Sequence, residues 1–310
     1  MKLTIAICTW NRAEELKRLL NEFEKCVLPA NCDVNLLIVD NNSTDNTKQV
    51  VSNAKLPFQI DYFLEKRQGL SFARNTALEQ SKNNWILFTD DDVSIKPSWV
   101  ANWCDAISKL APEIAFAGGA VSPRFLKTPS IEQIESIPMI GTGFCGIDLP
   151  QDYKISIDNA IFPMGANFAI NKAIVNDKKF NTLLGVSGNK RLLGEEHVYM
   201  RELVMENKNG EWVEGVELEH IIPEERLLAS SLKQQLVGMG RTKVLEDLEF
   251  NGQHNFPKWV VRALFENMIK MQLQVLAGKK GSRKYWKSFS DAWHCYGWTA
   301  QHISGIFSKK

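Results

Sequence analysis

What this chain lacks narrows it first. None of its apolar runs is long enough to span a bilayer. The first run, Leu3 to Cys8, is cut by Thr9-Trp10-Asn11-Arg12 too early for a secretory signal. The six cysteines (Cys8, Cys26, Cys32, Cys104, Cys145, Cys295) contain no C-x-x-C. Their scatter suggests free thiols in a reducing compartment rather than a disulfide framework, with Cys8 a buried thiol. No G-x-G-x-x-G follows the first apolar run and no G-x-x-x-x-G-K-[ST] occurs, which weakens dinucleotide-dehydrogenase and P-loop readings. A net charge of +1 over 310 residues does not suit a nucleic-acid binder. A globular, cytoplasmic protein is the expectation that remains.

Hydrophobic content of 44% and charged content of 24% are ordinary for such a protein. The chain is organised around Trp85 to Val93, W-I-L-F-T-D-D-D-V. Trp85 to Phe88 has the aromatic and branched composition of a buried strand. It runs into Asp90, Asp91 and Asp92, whose mutual repulsion needs an offset. A divalent cation supplies one, since hard cations take oxygen ligands. A solvated acidic loop is the plainer explanation.

Elsewhere apolar runs and helical spacings alternate. Strands are expected at Leu3 to Cys8, Val34 to Val39, Phe58 to Phe63, Trp85 to Phe88 and Ile114 to Ala117. Helices are expected over Ala13 to Phe23, after Asn41 to Thr47, over Gly69 to Gln80 and over Pro97 to Leu110. This alternation predicts an α/β fold with a mostly parallel, doubly covered sheet. Ligands of such sheets sit beyond the carboxyl ends of the strands. Thr9 to Arg12, Asp40 and Asp90 to Asp92 all fall there. Turn chemistry explains Asn41 to Asn46 well but the aspartate triplet poorly.

Pro123 to Asp158 is aperiodic and reads as a mobile loop or an acceptor-side insertion. Phe162 to Ile170 reads as a strand interrupted by Gly165, either a bulge or a close approach of backbone or ligand. Gly194-Glu195-Glu196-His197 opens a helix through Met205. Its acids suit the helix dipole or place a general base at a cleft. Trp212 to Ile222 reads as strand material containing His220, and a helix runs from Pro223 to about Glu249. In the tail, Trp259 to Leu276 is helical with a broad apolar face. Residues 257–310 carry ten Lys or Arg against two acids, interleaved with Tyr285, Trp286, Phe289, Trp293, Tyr296 and Trp298. Such a tail suits an anionic membrane surface, self-association, or packing on the rest of the chain.

Seven short motifs, in order, resemble those of family 2 glycosyltransferases. They are C-T-W-N-R (8–12), V-D-N-N-S-T-D-N-T (39–47), G-L-S-F-A-R-N (69–75), F-T-D-D-D-V (88–93), G-A-N-F-A-I (165–170), G-E-E (194–196) and H-I-I-P-E-E-R-L (220–227). The resemblance implies a GT-A, Rossmann-like fold over residues 1–250, with a basic, aromatic-rich helical tail over 251–310. It implies that Thr9, Asn11, Arg12, Asp40, Asn42, Arg74, Asp90 and Asp91 bind a nucleotide-sugar, with Asp40 toward the base. Asp90 to Asp92 stands for a D-x-D motif, with Asp92 and His220 toward Mn2+ or Mg2+. Gly165, Ala166 and Asn167 fall on the acceptor side. Glu196 stands where the family's usual G-E-D has its second acid, often the base, and Glu195 is its neighbour.

The resemblance further implies an inverting, metal-dependent transfer from a nucleotide-sugar, a UDP-sugar in the first instance. The acceptor is a glycan, glycolipid or glycoprotein hydroxyl. Peripheral attachment at the inner membrane face and a homo-oligomer are compatible with it. A nucleotidyltransferase, or a non-catalytic nucleotide-sugar-binding or scaffold protein on the same fold, are the alternatives.

Overall fold

In the computed structural model, which describes residues 1–137, 149, 153–157, 161–188, 190–252 and 256–307, strand and helix alternate from the start. The order is β1 (Lys2–Thr9), α1 (Ala13–Phe23), β2 (Asp33–Asp40), α2 (Thr47–Asn53), β3 (Gln59–Leu64), α3 (Leu70–Gln80) and β4 (Trp85–Thr89). Next come β5 (Val93–Ser94), α4 (Trp99–Lys109), β6 (Ile114–Gly118), β7 (Val121–Phe125) and α5 (Ile131–Ser136). Then follow β8 (Phe168–Asn171), α6 (Lys172–Val175), β9 (Gly185–Ser187), β10 (Lys190–Leu192), α7 (Glu195–Met205), β11 (Asn209–Trp212) and β12 (Leu218–Ile222). A 3-10 turn (Glu224–Leu227) leads into α8 (Ala229–Asn251), α9 (Lys258–Leu276) and α10 (Arg283–Phe307).

Two compact units divide the chain: Met1–Arg124, Cys145–Leu183 and Glu195–Ile221, and Phe125–Phe144, Leu184–Gly194 and Ile222–Lys310. In the first, the described residues form a seven-stranded sheet in the order β11-β6-β8-β4-β1-β2-β3. All its pairings are parallel except those of β8, which runs antiparallel to both β4 and β6. The mostly parallel, helix-covered sheet expected from the sequence is therefore present. β1 and β2 read as near-continuous apolar runs because both faces are covered. On one side Leu3, Ile5, Ile7, Leu36 and Ile38 pack with Leu16, Leu19 and Phe23 of α1 and Trp99 and Trp103 of α4. On the other, Ala6, Leu37 and Val39 meet Ala73, Ala77 and Leu78 of α3. Each large side chain so buried is worth roughly 1.5–3 kcal/mol.

Asp45 joins the loops beyond β1 and β2. Its Oδ2 accepts from the Ala13 amide at the start of α1, and its Oδ1 from the Thr47 amide and hydroxyl at the start of α2. Arg12 and Asn46 precede these helices without capping them through their own side chains, so one carboxylate caps both.

Four readings need correction. Cys32 and Cys104 are disulfide-bonded, because the loop entering β2 meets α4; scatter along the sequence carries no distance information. Phe162 to Ile170 is not one strand: only Phe168–Asn171 pairs, and Gly165 sits in the turn before it. Trp212 to Ile222 divides into the end of β11 and β12, which belong to different sheets, with Gly215 at φ +75 in the turn between them. Fourth, Pro123 to Asp158 is not aperiodic throughout: among the described residues the end of β7 and all of α5 lie there, α5 opened by a Ser130–Gln133 capping box. Most of the rest of that stretch is outside the described residues.

The second unit has its own core of Ile137, Ile222, Leu227, Leu232, Leu236, Tyr285 and Phe289. α8 crosses α10 with backbones nearly touching. A Cβ on Gly240 would lie 2.0 Å from the His294 carbonyl, and one on Gly297 2.0 Å from that of Val237. α8 shares this core with α10. No helix among the described residues is long and apolar enough to cross a membrane.

Candidate active site

The site is built in the first unit at the carboxyl ends of β1, β2 and β4. Thr9 and Asp40 are register partners at the ends of β1 and β2. The chain turns just beyond each through Asn11 (φ +51) and Asn42 (φ +65), a backbone region that Asn tolerates better than most residues. Asn11 is exposed, donating its amide to Ser43 Oγ and accepting from the Thr44 amide on its Oδ1. Asn42 is an exposed turn residue. The Asp40 carboxylate accepts from the Tyr62 hydroxyl at 2.7 Å and the Ser43 amide at 2.8 Å. Burial, then the bond to Asp40, pushes the Tyr62 phenol upward.

The aspartate triplet divides three ways. Asp91 points back under the strands, accepting from Thr9 Oγ1 at 2.8 Å and from Arg12 Nη1 at 2.6 Å. Burial pushes its carboxyl up to about 6, with Arg12 pulling the other way. Asp92 accepts from the same Arg12 Nη1 at 2.8 Å on Oδ2, and its Oδ1 lies 3.2 Å from His220 Nε2. His220 is brought there by the antiparallel pairing of β12 with β5, where it opposes Val93. Asp90 is the most open of the three and faces Arg74 Nη2 at 3.8 Å. Burial also raises its carboxyl.

Arg74 links this strand edge to the start of α7. It is 3% exposed, because the small residues Ser71, Ala73 and Ala77 let α3 lie close to the sheet. Its Nη1 donates to Glu195 Oε1 at 2.7 Å and lies 3.6 Å from Glu196 Oε2. The guanidinium also sits over the rings of Phe88, Phe168 and Phe180, 5.5–6.0 Å from their centroids, a favourable place for a cation. Burial works against its charge, and Glu195, Glu196 and Asp90 more than restore it. Glu195 is buried, and burial together with Glu196 pushes its carboxyl up against the pull of Arg74. Glu196 keeps an 18% exposed side chain. The same burial drives the Cys8 thiol, on β1 beside Arg74, up to about 12.

Gly165 lies against both. Its amide donates to Glu196 Oε1 at 3.3 Å and its carbonyl accepts from Arg74 Nη2 at 3.3 Å. A Cβ there would stand 2.5 Å from Arg74 Nη2 and 3.2 Å from Glu196 Oε1. Its two neighbours in the motif face inward. Ala166 is fully buried in the core. The Asn167 amide is consumed by Trp103 Nε1 on its oxygen and the Ala120 and Val216 carbonyls on its nitrogen. Of the three positions read as acceptor-side, only Gly165 touches the cluster.

Several participants carried no local signal. Arg18 of α1 reaches the Asp91 and Val93 carbonyls. Asn41 ties the 65–69 loop to β2 through the Glu65 and Arg67 carbonyls and the Gly69 amide. Only an apolar-to-polar change at a strand end marks Asn41, and nothing marks Arg18.

Asp92 and His220 are oxygen and nitrogen donors of the kind that hold Mn2+ or Mg2+. Among the described residues no group of three or more His, Cys, Asp or Glu is arranged to hold a metal ion. The pair fits a cation that draws its remaining ligands from phosphate and water, as Mg2+ commonly does.

Residues 4–137 match the model of "Glycosyl transferase family 2". A 94-residue stretch is 32% identical to the GalNAc(5)-diNAcBac-PP-undecaprenol beta-1,3-glucosyltransferase of Campylobacter jejuni, covering 29% of each chain. The aligned segments of the first curated relatives span under half of those proteins' own lengths. Two solved structures share the GT-A fold over nearly all of this chain. Mannosyltransferase PcManGT from Pyrobaculum calidifontis, in complex with GDP-Man and Mn2+, has a TM-score of 0.62 at 16% identity, covering 99% of this chain and 88% of its own. TarS 1–349 of S. aureus, in complex with UDP-GlcNAc, has a TM-score of 0.53 at 13% identity, covering 98% and 92%.

Proposed function

We propose that this chain, whose residues 4–137 match the model of glycosyltransferase family 2, moves a sugar from a nucleotide-sugar to an acceptor hydroxyl with inversion. One observation carries the reading. Arg74 bridges the strand-end acids to the paired glutamates of α7, meeting Asp90 at 3.8 Å and Glu195 at 2.7 Å. Two motifs more than 100 residues apart in sequence thereby share one buried cluster.

The roles follow from exposure and partners. Thr9, Arg12 and Asp91 form a braced floor, and Asp40 with the Asn11 and Asn42 turns forms the wall toward the nucleoside base. Asp90 faces the donor side beside Arg74, whose charge suits a diphosphate. Asp92 and His220 would hold the divalent cation. That ion, when bound, supplies Lewis-acid neutralisation of a departing diphosphate.

Glu196 is the general base, taking the acceptor hydroxyl proton as that oxygen attacks the sugar carbon. Glu195 is too enclosed for this, and its carboxylate is engaged with Arg74. Gly165 holds Glu196 in place through its amide. One base facing one leaving group supports a single displacement. A UDP-sugar is the donor we put first, since the TarS neighbour was solved with UDP-GlcNAc; the GDP-Man of the mannosyltransferase makes GDP-sugars the second arm of the test. The acceptor is a glycan, glycolipid or glycoprotein hydroxyl, and the Campylobacter relative's undecaprenol-linked acceptor supports a lipid-linked one.

The test is a panel of UDP- and GDP-sugars assayed for slow hydrolysis with Mn2+, Mg2+ or EDTA. One donor should be hydrolysed only with metal, and Asp92→Ala and Glu196→Gln should abolish turnover. Full turnover in both variants would overturn the roles given to Asp92 and Glu196, and hydrolysis of no donor by the unmodified protein would leave a binding or scaffold protein instead.

A further inference from the structure

We propose that α9 is a docking helix that seats the second compact unit on an anionic phospholipid surface. Phe265, Ile269, Leu273 and Leu276 are 64%, 60%, 56% and 75% exposed. Their spacing of four, four and three residues sets them on one stripe of the helix. Large apolar side chains scattered singly over a surface need no explanation, but a contiguous stripe does. The helix is anchored from its other flank, where Val260 is fully buried and Trp259 meets the Trp298 ring of α10 edge-on at 5.7 Å.

Charge selects the occupant. Lys258, Arg262, Lys270, Lys279 and Lys280 are exposed along α9 and just past its end, and Arg283, Lys284 and Lys287 are exposed at the start of α10. Glu266, paired with Arg262, and Asp291 are the only acids in residues 257–310. A second copy would bring this cationic face against an identical one, and like charges would oppose the apolar contact. Anionic headgroups are complementary to it, with lysine and arginine at headgroup level and the stripe in the acyl boundary. α9 does not cross the bilayer; it lies in the interface plane.

The full chain should float with vesicles of phosphatidylcholine and phosphatidylglycerol and bind pure phosphatidylcholine far less. Combined Phe265→Gln, Ile269→Gln, Leu273→Gln and Leu276→Gln should weaken anionic-vesicle binding about 100-fold, given the apolar area withdrawn. Combined Lys270→Gln, Lys279→Gln and Lys280→Gln should weaken it about 10-fold or more and flatten its salt dependence. Brominated acyl chains should quench tryptophan emission of the unmodified protein, a readout that needs no variant. Absent quenching, absent flotation on anionic vesicles, or flotation unchanged by the four apolar substitutions would overturn the proposal. So would a dimer that those substitutions dissociate in a protein that ignores vesicles. No sugar donor is present in these measurements, so their failure leaves the transfer reading standing, and failure of transfer leaves them standing.

Discussion

Arg74 Nη1 donates to Glu195 Oε1 at 2.7 Å, with both residues 3% exposed. Removing one partner of a buried pair strands the other charge, at a cost of about 3–5 kcal/mol. Arg74→Ala should therefore lower the unfolding free energy by about that amount, measured in urea, and abolish transfer. Arg74→Lys keeps a cation but not the planar fork that reaches Glu195 and the Gly165 carbonyl together. It should recover part of the stability and little of the rate.

The two glutamates of α7 should respond differently. Glu196→Gln removes the proposed base while its amide can still accept from Gly165, so kcat should fall about 100- to 10,000-fold with donor KM nearly unchanged. Glu195→Gln leaves an acceptor for Arg74 but removes its charge. Its main effect should be on stability, with a smaller loss of kcat. Initial rates at saturating donor and acceptor decide between the two assignments. Equal losses of kcat would reopen the choice of base.

The strand edge is legible in the sequence because each of its signals is local. Alternating strand and helix periods predict the sheet, and three adjacent carboxylates after a buried strand mark the edge proposed here as the active one. Arg74 and Glu195 are separated by 121 residues, and no periodicity reports a distance across that gap. Asn167 shows a related limit: the family motif puts it on the acceptor side, and here its amide satisfies the buried Trp103 indole and two carbonyls. The Cys32–Cys104 bond and the reversed direction of β8 are likewise products of tertiary proximity.

Gly165 should be the most sensitive small residue of the site. A methyl group there meets Arg74 Nη2 at 2.5 Å and Glu196 Oε1 at 3.2 Å. The shorter approach is to the Arg74 guanidinium, which must shift within its cage of three phenyl rings, and the Glu196 carboxylate 3.6 Å from it shifts as well. Gly165→Ala should displace that carboxylate, and a misplacement of about 1 Å can cost about 100-fold in rate. A thermal melt should also show a loss of stability, smaller than that of Arg74→Ala because the guanidinium and its Glu195 partner are both still present. A variant with unaltered kcat would show that the base is not held from this side.

Acid stability offers a test of the scaffold that presents Arg74. Glu65, just beyond β3, accepts from Arg67 Nε at 2.9 Å and Nη2 at 2.6 Å, and from Thr76 Oγ1 of α3 at 2.6 Å. Foremost among these, the Arg67 bonds lower its carboxyl from 4.5 to about 2. The folded state therefore binds the proton more weakly than the unfolded chain does. The contribution is fully present above pH 4.5 and is lost as pH falls toward 2. Arg67 is largely exposed, so solvent screens part of this effect; the buried Thr76 bond is not screened in that way. Glu65→Gln should destabilise the protein at pH 7 and give an acid limb that is shallower than the parent's between those values. Urea midpoints taken across the range measure both slopes, and parallel limbs would mean that Glu65 does not hold the 65–69 loop against α3.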